Sequence, residues 1–66
     1  MQATINGQAH SLNDGSTVAA LVDTLGLDTR KVAVEVNLTI IPRSLYTETP
    51  LHEGDKIEIV QFIGGG

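Results

Sequence analysis

One stretch of this chain carries a helical period, and that limits the folds open to it. Val18, Leu21, Val22 and Leu25 fall at i, i+3, i+4 and i+7, the stripe of an amphipathic helix facing a core. Ser16 or Thr17 can cap its start. The capping box is incomplete, because Ala19 and Ala20 stand where a Glu would close it. Gly26 suits the left-handed position after the helix, and Leu27 the hydrophobic contact beyond it. The remaining apolar residues sit in short segments with strand character. A 66-residue chain of this kind can cover one face of a sheet with its helix and must leave most of the other to solvent.

The strands are read from turns and alternation. Asn6-Gly7 is a strong hairpin signal, since a type I′ turn needs positive φ at both central residues, and it joins Gln2 to Ile5 with Gln8 to Leu12. "KVAVEVN" alternates, with Val32, Val34 and Val36 on one face and Ala33 and Glu35 on the other. A turn at Asn37-Leu38 leads to a short strand Thr39 to Ile41, which Pro42 ends. "RSLYTETPLHEGD" is irregular, and Gly54-Asp55 turns into a last strand from Lys56 to Ile63. The element order is β-β-α-β-(β)-β, an α+β chain with a four- to five-stranded sheet and one helix.

Composition removes several function classes. A ligand cavity of about 300 Å³ or more would take the place of side chains that so small a core needs, which argues against a stand-alone enzyme. Four Lys or Arg against eight Asp or Glu give a net charge of -4, which disfavours nucleic acid and suits neutral or basic protein partners. No segment approaches the ~18 apolar residues of a membrane span, and "MQATINGQ" lacks the features of a signal peptide, so a cytoplasmic protein is expected. Without cysteine there is no thiol nucleophile and no cysteine metal site. His10 and His52 lie far apart in polar stretches and read as surface residues, so no metal is expected. Ser11, Ser16 and Ser44 show no triad-like spacing with them, and turn or cap roles explain these serines better. Arg43 and Tyr46 read as surface residues. Glu48, Glu53, Asp55 and Glu58 read as a solvated acidic face with partner steering as a sharper role.

The last strand breaks its own rhythm. Ile57 and Ile59 point one way and Glu58 the other, yet Val60 and Phe62 then fall on the Glu58 face. With one helix available, these two are expected to be exposed, and with Ile63 to form a docking patch. They lead directly into Gly64, Gly65 and Gly66. Glycine lets a backbone enter a narrow channel and approach a bound nucleotide closely. A carboxylate on Gly66 would be the reactive group, with no stereocentre to epimerise on activation. Ordering three such residues costs roughly 3–6 kcal/mol, which burial of the patch could offset. The domain is expected over 1–63 and a flexible glycine tail over 64–66.

"VAVEVN", "IPRS", "TPLHEGDKIEIV" and the closing "IGGG", with the "ING" hairpin and the "TVAALVDTLGL" helix, resemble the sulfur carriers of thiamine biosynthesis, the ThiS family. The resemblance spans the whole chain. It implies the ubiquitin-like β-grasp fold, with the first and last strands parallel neighbours. It also implies a carrier acted on by enzymes rather than an enzyme. A ubiquitin-activating-like partner would use ATP to adenylate the carboxylate of Gly66, and a persulfide, fed from cysteine by a desulfurase, would convert it to a thiocarboxylate. Thiazole synthase would then take the sulfur for the thiazole ring. Gly66 would be the modified group and Gly65 its partner in the diglycine signature, with Gly64 also threading into partners. Alternatives stay open: a carrier for molybdopterin or tRNA thiolation, a protein modifier, or a β-grasp binding module.

Overall fold

The computed structural model describes residues 1–62. Five strands form one mixed sheet: β1 (Gln2–Ile5), β2 (Gln8–Ser11), β3 (Val32–Val36), β4 (Thr39–Ile41) and β5 (Lys56–Gln61), in the spatial order β2-β1-β5-β3-β4. β1 and β5 are parallel, with Ile5 opposite Ile57, and the other neighbouring pairs are antiparallel. The one helix, α1 (Val18–Thr24), supplies Val18, Leu21 and Val22 to a core shared with Ala3, Ile5, Val32, Val34, Ile57 and Ile59. The stripe and the strand alternation therefore meet on one face of the sheet, as the period-3.6 and period-2 patterns require. Leu25, the last member of the predicted stripe, closes the helix as its C-cap and is 37% exposed. The helix is too short for its fourth stripe position to reach the core.

Both helix ends find hydrogen-bond partners. Thr17 Oγ1 accepts from the Ala20 N–H, 3.2 Å away. The N–H groups of Val18 and Ala19 donate to the carbonyls of Thr49 and Tyr46, so a loop supports the first turn where no capping-box Glu is present. At the other end Gly26 has φ +75°, its N–H donates to Asp23, and the Leu27 N–H donates to Val22, which is the Schellman arrangement.

The segment after β4 departs most from the sequence reading. Its start forms a short 3-10 turn, Arg43–Leu45, and the loop then folds over the helix-covered side of the sheet. Tyr46, expected at the surface, is 3% exposed, and its hydroxyl donates to the Val32 carbonyl at 3.3 Å. Leu51 joins it in the core. A single short helix leaves part of the inner face uncovered, and these two side chains fill it. Asp55, expected in a solvated acidic face, is 8% exposed. It is buried because Asn37 Nδ2 and the His52 N–H both donate to its carboxylate, at 2.9 and 2.8 Å. Arg43, Glu48, Glu53 and Glu58 are at the surface as expected, as is His52, with His10 half-buried.

Candidate functional site

β5 is the strand that leads to the glycine run, and it lies between β1 and β3. Two asparagines at turns hold it. Asn6, at φ +49°, ends β1, and where β1 turns away its side chain takes the place of a further peptide: Nδ2 donates to the Ile59 carbonyl at 3.1 Å and Oδ1 accepts from the Ile59 N–H at 2.8 Å. Asn37, at φ +52° in the β3–β4 turn, does the same on the other side, with Oδ1 accepting from the Lys56 N–H at 2.9 Å. Its backbone N–H donates to the Lys56 carbonyl, and its Nδ2 reaches buried Asp55. Asparagine tolerates the left-handed region and carries an amide that mimics a backbone unit, which suits both demands.

Sequence reasoning placed both asparagines in turns and missed their second task. The available signal was the residue type: glycine fills either turn position more easily, whereas an amide at both positions points to a partner for it. Tyr46 and Asp55 were missed because nothing in the irregular segment marks which of its residues face inward.

Beyond Ile59 the strand runs on along β3, with Val60 opposite Ala33 and Gln61 opposite Val32. The Phe62 N–H donates to the Lys31 carbonyl at 2.8 Å, so the backbone is still tied to its neighbour at the last described residue. Val60 is 60% and Phe62 46% exposed, on the face away from the helix, as the broken rhythm predicted. Their exposure follows from the architecture, since α1 and the 43–55 loop contribute to the opposite face. Ile63, the third member of the predicted patch, and Gly64, Gly65 and Gly66 lie outside the described residues, as do the predicted end of the domain at 63 and the tail over 64–66.

The described residues hold no group of three or more His, Cys, Asp or Glu arranged for a metal. Ser11 lies in β2 and Ser44 in the 3-10 turn, while Ser16 donates its hydroxyl to the Asn13 carbonyl at 2.7 Å in a turn. No helix among the described residues is long and apolar enough to cross a membrane.

A model of the ThiS family matches residues 2–66. The chain belongs to the ThiS family. The chain is 33% identical to the sulfur carrier protein ThiS of Escherichia coli over the full length of both. It is 42% identical to the Bacillus subtilis ThiS, with 80% of each chain covered. Over all 66 residues it is 52% identical to a thiazole synthase of Paramagnetospirillum magneticum, of which it spans 20%. Its fold superposes on the crystal structure of the Geobacter metallireducens thiamine biosynthesis protein ThiS with a TM-score of 0.85, at 29% identity and full coverage of both chains. The five-stranded mixed sheet with parallel first and last strands is thus the ubiquitin-like β-grasp of this family.

Proposed function

We propose that the chain is a sulfur carrier of thiamine biosynthesis, a co-substrate of enzymes that works through the carboxylate of Gly66. Membership of the ThiS family, matched through residue 66, is the observation that carries this reading. In the proposed cycle the Gly66 carboxylate attacks ATP in a ubiquitin-activating-like partner, releasing pyrophosphate and leaving an acyl-adenylate. A persulfide, formed by a cysteine desulfurase, displaces AMP through its terminal sulfur. A thiol then cleaves the resulting S–S bond, leaving a thiocarboxylate on Gly66 and a disulfide on the donor side. The cycle consumes ATP in the cytoplasm, and no metal or cofactor of the carrier enters it.

The tail does the chemistry and the domain supplies the handle. Gly64 and Gly65 thread the partner's channel, since a backbone without Cβ passes where side chains would clash. Val60 and Phe62, exposed on a strand fixed from both sides, provide apolar area whose burial offsets the ordering of the tail, and Ile63 continues that patch in sequence. The absence of cysteine fits a carrier that moves sulfur on its terminus and needs no thiol of its own. The recipient is thiazole synthase. That choice is supported by relatives of that name, from Paramagnetospirillum magneticum and Magnetococcus marinus, a fifth of whose length corresponds to this chain.

Intact mass spectrometry after incubation with the adenylating enzyme, ATP and a persulfide source tests the cycle. Replacement of one oxygen by sulfur at Gly66 is the expected product, and deletion of Gly65 and Gly66 abolishes it. An unchanged mass beside an active enzyme would sink the proposal.

A further inference from the structure

The sheet face turned away from the helix carries an acidic feature next to the apolar one. Register places Glu35 of β3 directly opposite Glu58 of β5, with Ile40 of β4 on the other side of Glu35. The adjacent row on this face pairs Ala33 with Val60, and Phe62 follows beyond it. Like charges directly opposite on neighbouring strands destabilise a sheet, because the backbone holds their Cα atoms about 5 Å apart. The ion pairs among the described residues join Met1 to Asp14, Arg30 to Asp28 and His52 to Asp55, so neither Glu35 nor Glu58 is neutralised in that way. Lys56 shares the face two residues before Glu58 and pairs with neither. Around this acidic pair Ile40 is 71%, Val60 60% and Phe62 46% exposed.

We infer that this face docks a partner protein through an arginine, whose guanidinium bridges Glu35 and Glu58 while its aliphatic stem lies over Ala33 and Val60. Two carboxylates whose backbone positions the sheet holds opposite each other suit a planar fork of five donors, which reaches both at once, better than the single point charge of a lysine. Ile40 on one side and Val60 and Phe62 on the other shield the ion pair from water when the partner closes over them, which strengthens it. A second copy of this chain is a poor occupant, since a twofold interface here would bring four carboxylates together. The net charge of -4 favours the approach of a basic surface to the chain as a whole.

The inference deepens the carrier reading and rests on it for the partner used in its test, the purified adenylating enzyme. Calorimetric titration of that enzyme with the wild-type chain and with Glu35→Gln/Glu58→Gln should show the double variant binding at least about tenfold more weakly. Its affinity should also depend less on salt between about 0.05 and 0.3 M. Its melting temperature should stay level or rise, because the repulsion is gone. An affinity within about twofold of wild type overturns the inference, and so does weaker binding that tracks a fall in melting temperature. Sedimentation showing a wild-type dimer that the double variant disperses would give the face to a second copy and overturn it as well. Sulfur gain at Gly66 with unchanged affinity of the variant defeats the arginine clamp alone. Absence of sulfur gain in the wild type, with active enzyme, defeats the carrier reading.

Discussion

The two faces of β5 have opposite tasks, although they share one backbone. On the inner face Ile57 is fully buried and Ile59 nearly so, in contact with a core that includes Val34 and Val22. On the outer face Glu58 and Val60 stand in solvent on the same strand, one residue away in sequence. The inner face holds the domain together. The outer face contributes little to that and is free to meet a partner. A chain this small cannot separate stability from recognition by distance, so it separates them by the side of the sheet to which a side chain points.

Substitutions should reveal the difference. Ile57→Ala removes a fully buried side chain and is expected to cost about 2–5 kcal/mol in urea unfolding, a large part of the stability of any domain this size. A cost under about 1 kcal/mol would mean the inner face is not the stabilising one. Asp55→Ala should cost about 1–3 kcal/mol, because Asn37 Nδ2 and the His52 N–H lose their acceptor at the edge of the core. Phe62→Asp, on the outer face, should change stability by no more than about 0.5 kcal/mol while weakening binding of the proposed adenylating enzyme. If it unfolds the protein instead, the two faces are not distinct.

The smallest effect lies off both faces. Hydrogen bonds from the Arg30 side chain and then its backbone N–H hold the half-exposed Asp28 carboxyl down at about 2, against an ordinary value of 3.8. A lowered folded-state pKa stabilises above the unfolded value and loses that contribution as pH falls from about 4 toward 2. Asp28→Asn should therefore lower the melting temperature slightly at neutral pH, with variant and wild type converging as pH falls toward about 2, so that the acid limb is flatter. A change as large as that of Asp55→Ala would contradict the reading of this pair as a surface feature.

Local rules made much of the fold legible. The Asn6-Gly7 hairpin, the helix with its Thr17 cap and Gly26 exit, the alternation of β3 and the turn at Asn37-Leu38 each rest on contacts within a few residues, and all are present. The exposure of Val60 and Phe62 was legible too, because it needed only the count of one helix and the parity of a strand. Tyr46 and Asp55 were not. Tyr46 packs into the core with its hydroxyl on the Val32 carbonyl, and Asp55 takes an amide from Asn37, partners remote in the chain that no local pattern announces.

By itself the sequence determined which residues form elements, which side of each strand is apolar, and that the patch at Val60 and Phe62 is followed by Gly64, Gly65 and Gly66. Those properties follow from backbone preference and side-chain period, which act over one or two turns. Only the tertiary structure decided how β5 is secured: the amides of Asn6 and Asn37 reach it from two separate turns, and Glu35 comes to stand opposite Glu58. Those meetings depend on strand order and register, which are set when the whole sheet closes over its helix and appear in no single stretch of the chain.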